Sequence, residues 1–157
     1  MSGFGLQRKF AGFLERSFGW KIFRNHQHGL DPLDDIRYLI KDYTPGLIFD
    51  VGANEGGSAR RYREVFPRAQ IHCFEPVDST FKILEENLCK DQKIQCHHLA
   101  LGSDYKEVQI QASDQSKMSS IVSKEEDTGK LESVQMSRID RFCRDAQIES
   151  IDYLKID

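Results

Sequence analysis

Leu47-Ile48-Phe49-Asp50-Val51-Gly52-Ala53-Asn54-Glu55-Gly56-Gly57 is the stretch on which the reading of this chain turns. An apolar run of the kind that makes a buried strand passes into a glycine-rich turn, and a helical pattern follows. Glycines at 52, 56 and 57 let the backbone turn tightly and come close to a ligand. The helix beyond aims its free N–H groups and positive dipole end at whatever lies over the turn. Strand, glycine turn and helix form the nucleotide-binding opening of a doubly wound α/β domain. A dinucleotide site needs G-x-G-x-x-G, and Asn54 stands where its second glycine would be. That counts against a nicotinamide-dependent oxidoreductase. Asp50, on the strand just before the turn, suits a cationic or amine-bearing ligand better than a pyrophosphate.

Downstream, Ala59, Tyr62, Arg63 and Phe66 recur at helical spacing until Pro67, with Arg60, Arg61 and Arg63 read as the solvent face. A second strand over residues 69–75 ends in Glu75-Pro76. An acid about 20 residues beyond the glycine turn, at a strand tip, is placed to accept both hydroxyls of a ribose. Its two oxygens make that chemically feasible, and Pro76 removes a ladder donor. The competing reading of Glu75 is an acid at the start of the next helix. Asp78 is read as that helix's cap, with Phe81, Leu84 and Leu88 facing inward. Residues 93–102 form a third strand, and Ala100-Leu101-Gly102 at its edge could cover an adenine ring. His97 and His98 point to opposite faces of such a strand and cannot share a ligand.

The β-α alternation then breaks. Residues 107–112 and 132–137 alternate as an antiparallel pair, separated by a long polar loop, 113–131, of the kind that serves as a lid or binding loop. Ser137-Arg138-Ile139-Asp140 reads as a capping-box variant opening a helix. A last strand ends at Lys155-Ile156-Asp157.

Upstream, residues 4–24 carry Leu6, Phe10, Phe13, Leu14 and Phe18 at helical spacing among basic residues. A helix packed on the domain or on a second subunit is favoured over one lying on a membrane surface. Asp31-Pro32 marks the start of a lead-in helix whose stripe is Leu33, Ile36, Leu39, Ile40 and Tyr43, stopped by Pro45-Gly46. The organisation expected is therefore a helical extension over 1–44 and a binding domain over 45–157.

The 157 residues have 39% hydrophobic and 30% charged content, the composition of a globular domain. Net charge is −3, but residues 1–28 hold five Lys/Arg against one Glu, a net +4, which leaves −7 for the remainder. An acidic main domain argues against nucleic acid as the partner. No apolar run approaches a membrane span and no signal-peptide layout is present, so the cytoplasm is the expected compartment. Cys73, Cys89, Cys96 and Cys143 form no C-x-x-C pair and read as reduced thiols. His26 and His28 alone do not make a metal site, and no metal is expected.

The glycine turn with its preceding acid resembles the first motif of class I S-adenosylmethionine methyltransferases. Asp50-Val-Gly-Ala-Asn-Glu-Gly56, Phe74-Glu-Pro76, Ala100-Leu-Gly102, Met118-Ser-Ser-Ile121, Arg138-Ile-Asp140 and Tyr153-Leu-Lys-Ile-Asp157 occur in this order. The set resembles the FkbM family of these enzymes over roughly residues 45–157. The resemblance implies a Rossmann-like α/β sheet with an antiparallel insertion, and S-adenosyl-L-methionine as cofactor. It implies that Asp50, Gly52, Ala53, Asn54 and Gly56 surround the methionine part. Glu75 with Pro76 would hold the ribose, Ala100 with Leu101 would lie near the adenine, and Asp157 would stand by the transferable methyl as the catalytic acid-base candidate. The acceptor it implies is a hydroxyl on a sugar or another small natural-product-like molecule, with the Ser119–Ser120 loop closing over it.

In the family the last motif continues with Val/Ile-Glu-Gly and further strands. This chain supplies only strands 1 to 4 of the order 3-2-1-4-5-7-6, which predicts an apolar edge at the fourth strand. It reads as the N-terminal part of a methyltransferase domain. The rival reading is a catalytically incomplete cofactor-binding or interaction module. The open edge and aromatic N-terminal helix are compatible with self-association.

Overall fold

The computed structural model describes residues 32–112, 120–121 and 130–157. The amphipathic pattern at 4–24, Asp31, His26 and His28, and most of the 113–131 loop, including Met118 and Ser119, lie outside the described residues. The chain divides into two compact units, 1–43 and 44–157.

In the first unit, helix α1 spans Pro32–Leu39 with Asp34 and Asp35 in its first turn, where acids suit the dipole. Leu33 is buried, but Leu39 and Ile40 are exposed and not part of a core stripe. The helix ends at Leu39, before the predicted Pro45-Gly46 stop. Asp42 then turns the chain with φ 61, a conformation Asp tolerates better than most residues.

The second unit is a mixed α/β fold built on a parallel sheet. Its strands are β1 (Leu47–Val51), β2 (Gln70–Phe74), β3 (Ile94–His97) and β8 (Tyr153–Ile156), in the order β3-β2-β1-β8. All three pairings are parallel. This is the 3-2-1-4 order expected for the opening half of a Rossmann-like methyltransferase sheet. Helices α2 (Gly57–Val65) and α3 (Asp78–Leu88) make the crossovers, and α4 (Ile139–Asp145) leads towards β8. A second sheet holds β4 (Ala100–Leu101), β5 (Lys106–Ala112), β6 (Ser120–Ile121) and β7 (Lys130–Ser137), in the order β4-β7-β5-β6. The β5–β7 pair is antiparallel from Lys106↔Met136 to Ala112↔Lys130.

The predicted single strand over 93–102 is two strands in two sheets, and the end of the β2 ladder supplies the reason. Glu75 N donates to His97 O at 3.1 Å, the last rung on that side. The next donor on that side, Val77 N, is taken by Glu75 Oε1 at 3.0 Å, and Leu99 N folds back onto His97 O at 3.0 Å. The chain turns through His98 and Leu99, and Ala100 pairs with Met136 instead.

Strand alternation sorts the core. Leu47, Phe49 and Val51 point to the face covered by Ile139, Phe142, Cys143, Ile148 and Ile151, with Phe74, Leu99 and Leu101 completing that cluster. Ile48, Asp50, Ile71 and Cys73 point to the opposite side, where Ala59, Tyr62, Leu84 and Leu88 are also buried. Val77, Ala100, Ile110, Val134 and Met136 form a separate core beneath the second sheet. On β8, Leu154 and Ile156 remain exposed at the sheet's margin.

Three local expectations are corrected. Asp78 is the first helical residue of α3 and Val77 is its N-cap. Arg138, in extended conformation, is the N-cap of α4, and the Ser137 hydroxyl bonds to Arg138 O. Arg63 is not a solvent-face residue: it holds Asp91 Oδ2 at 2.6 Å and Pro67 O at 2.7 Å, pinning the end of α2 to the α3–β3 turn.

His97 lies in an aromatic stack with Phe74 at 4.9 Å and Phe142 edge-on at 4.9 Å. Its Nε2 meets His72 Nδ1 at 3.0 Å. His98 is elsewhere, stacked on Phe81 and bonded to Pro76 O. Burial, reinforced by neighbouring His72, pushes His97 down to about 4, and burial lowers His72 as well. The unfolded chain therefore takes up these protons at a higher pH than the fold does. Stability is fully present above about 6.5 and declines as pH falls towards 4. We expect the melting temperature to fall across that window. His97→Gln, which keeps a hydrogen-bonding partner for His72 but does not titrate, should flatten the fall; an unchanged slope in thermal melts would show that the pair is not its source.

Candidate functional site

The parallel sheet brings the C-terminal ends of β1, β2 and β8 side by side, where ligands of open α/β sheets bind. The glycine turn after β1 is fastened from several directions. Gly52 N and Ala53 N both donate to Phe74 O at 3.0 Å, and Gly56 N donates to Ala53 O at 2.9 Å. Asn54, at φ 50, donates its amide to Glu75 Oε2 at 3.0 Å. From below, Asn87 Nδ2 holds Glu55 O at 2.9 Å. The first helical bond is Arg60 N to Gly56 O, so helix geometry leaves the amides of Gly57, Ser58 and Ala59 without intrahelical acceptors. A Cβ added at Gly57 would meet nothing within 4 Å, so this end of α2 is open.

Gly56 has a different task. Its φ is 87, and a Cβ there would sit 2.8 Å from Leu88 Cδ1. The missing side chain makes room for α3 against the start of α2. Gly52, at φ 75, lies beneath Asp157, whose Cβ is 3.4 Å from where a Gly52 Cβ would be.

Glu75 is buried at the tip of β2. Oε2 accepts from Asn54 N and Oε1 from Val77 N, each at 3.0 Å. The two readings of this acid thus coexist: it steadies the start of α3 and also ties the glycine turn to β2. Burial raises its carboxyl above the usual range, opposed by those two amides. Each oxygen keeps a further lone pair for a ligand hydroxyl.

Asp50 is fully buried on β1. Burial raises its carboxyl, against the pull of Lys155. Lys155 Nζ approaches Asp50 Oδ1 to 3.0 Å and Asp157 Oδ2 to 2.5 Å, and donates to Gly52 O at 3.2 Å. Beyond the ion pair of Oδ1 with Lys155, neither Asp50 oxygen has a hydrogen-bond donor among the described residues. Tyr62 of α2 is buried beside this group, edge-on to Tyr153 at 5.5 Å. Burial, with the nearby Asp50 charge, pushes its hydroxyl far up, so it stays protonated.

Of the predicted site residues, Asp50, Gly52, Ala53, Asn54, Gly56, Glu75 and Pro76 line the joined ends of β1 and β2, and Asp157 ends β8 beside Gly52. Asp157 is largely exposed, with its amide on Val51 O at 3.2 Å. Ala100 and Leu101 direct their side chains into two different apolar cores. Sequence reasoning missed Lys155 and Asn87. Lys155 becomes visible only through the register Asp50↔Lys155, which depends on β8 returning to the far side of β1.

A profile of the Methyltransferase FkbM domain matches residues 50–157, more than half of the chain. The chain belongs to the FkbM methyltransferase domain family. The match runs from Asp50 to Asp157, the two acids that Lys155 joins. Among curated proteins, the chain is similar to the 2-O-methyltransferase NoeI of Sinorhizobium fredii (strain NBRC 101917 / NGR234), 27% identical over 127 residues. That similarity covers 71% of this chain and 52% of the relative, so the chain spans about half the length of the curated relative it matches. Among the described residues of this FkbM domain, no helix is long and apolar enough to cross a membrane.

Proposed function

We propose that this chain forms the S-adenosyl-L-methionine-binding part of a methyltransferase that acts on a hydroxyl of a sugar or another small molecule. The observation that carries the reading is the pair of buried carboxylates, Asp50 and Glu75, at the tips of adjacent strands around a left-handed glycine turn. Asp50 Oδ2, without a hydrogen-bond donor among the described residues, leaves negative charge to meet a cationic ligand. The Glu75 oxygens keep acceptor capacity for two ribose hydroxyls, and the open end of α2 leaves amides for polar ligand atoms. The residues present therefore fit this cofactor.

When bound, the cofactor supplies a methyl group on a reactive sulfonium, so the protein's main task is to bring the acceptor oxygen in line. Asp157 is the exposed acid at the end of β8 and is proposed to take the acceptor's proton. Ala53, Asn54 and Gly56 shape the turn, Pro76 ends the ribose edge, and the backbone of Ala100 and Leu101 borders the adenine. The oxygen acceptor is favoured because the similar protein from Sinorhizobium fredii is described as a 2-O-methyltransferase. A cytoplasmic location and homo-oligomer formation belong to the same proposal.

Calorimetric titration of the chain with S-adenosylhomocysteine, beside NAD, tests the cofactor. Saturable one-to-one binding of the first and none of the second is expected. A folded chain that binds neither would sink the cofactor proposal and leave the interaction module.

A further inference from the structure

We infer that Lys155 is a positioning residue of this site, holding the β1 turn and the β8 tip in register and keeping Asp50 ionised for the ligand. This rests on the cofactor reading above. The side chain is mostly enclosed and meets three oxygens, Asp50 Oδ1, Asp157 Oδ2 and Gly52 O. Those oxygens belong to the two strands and the turn on which the cofactor is proposed to sit. One ammonium has three protons to donate, so a single group can set the spacing of all three acceptors.

The electrostatics point the same way. A carboxylate taken fully out of water prefers to be neutral unless a partner holds its charge. Among the described residues, the titratable groups that interact with Asp50 are Lys155 on β8, Asp157 just beyond it, Tyr62 on α2, and Cys73 on β2 as its register partner. Lys155 is the sole cation of that set. Burial alone would lower Lys155, but its bonds to Asp157 and Asp50 outweigh this and raise it, so it stays charged across the working range. Without it, two acids would face each other across Gly52 and Asp50 would take up a proton. The turn carbonyl would also lose its donor.

The test is the pH profile of S-adenosylhomocysteine affinity, measured by calorimetry on the full chain. Wild type sets the reference and decides the cofactor reading by itself. Lys155→Met should weaken binding at least tenfold near neutral pH and move the acidic fall in affinity upward by roughly 1–3 pH units, the effect of losing a close opposite charge. Lys155→Arg should retain the wild-type profile, since the charge is kept. Asp50→Asn/Lys155→Met should bind weakly and lack the upward-moved fall of Lys155→Met, because Asp50 no longer titrates and only the acidic fall due to Glu75 is left. If Lys155→Met does not fold by circular dichroism, this double variant carries the test, with no buried charge left unpaired. Wild-type binding combined with a wild-type profile in either Met variant would overturn the role of Lys155 while leaving the cofactor reading intact.

Discussion

Gly56→Ala is expected to destabilise the 44–157 unit by about 2–5 kcal/mol, the sum of two separate effects. At φ 87 the backbone is in the left-handed region, which costs an L-residue roughly 1–2 kcal/mol. The new methyl would also stand 2.8 Å from Leu88 Cδ1 and 3.1 Å from Leu84 Cδ1. Leu84 and Leu88 are themselves buried, so they cannot swing into solvent. Overpacking of a closed core typically adds about 1–3 kcal/mol. Gly57→Ala is the matched control. Nothing would meet its Cβ within 4 Å, and it is the first residue of α2 and has no positive φ, so alanine there gains roughly 0.4–1 kcal/mol over glycine. Urea unfolding of the two variants should therefore move in opposite directions. Equal effects at 56 and 57 would mean that the packing of α3 on α2 does not depend on the missing side chain at Gly56.

The second large effect is expected at Glu75. Glu75→Ala strands the amides of Asn54 and Val77, and a buried donor without an acceptor costs about 1–3 kcal/mol. Loss of the carboxylate also removes the acceptor proposed for the ribose. Hydrogen bonds to a charged group contribute about 1.5–3 kcal/mol each, so losing the two proposed for the ribose should lower affinity for S-adenosylhomocysteine by roughly a hundredfold or more. Glu75→Gln separates the two roles. It retains a single oxygen, enough for one of the two amides, and it removes the charge. We expect stability between that of wild type and the alanine variant, with affinity lost almost as fully as in Glu75→Ala. A glutamine variant that binds like wild type would confine Glu75 to fastening the turn, and the ribose assignment would have to move to another residue.

The sequence by itself determined the outline of the second unit. The run 47–49 followed by glycines is strand and turn because apolar residues at strand length and glycine at left-handed positions have few other solutions. The order of motifs then identified the family, since Asp50–Gly56, Phe74–Pro76 and Tyr153–Asp157 each sit at the end of a strand whose position is fixed by local chemistry. Asp50 and Glu75 were legible for the same reason: an acid at a strand tip beside a glycine turn is unusual, and it is visible without knowing what packs on it. Where neighbouring segments decide, the sequence was silent. Residues 93–102 read as one strand because their apolar pattern is continuous, but the donor that would extend the pairing, Val77 N just beyond the adjacent strand, is held by Glu75 Oε1, and the segment divides between two sheets. Arg63 reads as surface from helical spacing, yet Asp91 lies within its reach only after β3 has packed beside β2. Gly56 reads as a ligand contact, and only the approach of Leu88 from α3 reveals its packing role. Lys155 is the plainest case. Its alternation places it on one face of β8, but only the crossover that lays β8 along β1 puts its ammonium between Asp50 and Asp157. Local propensity and strand-end chemistry act over a few residues and can be read in order. Charge pairing and close packing act through space, between residues a hundred positions apart, and exist only once the sheet has closed.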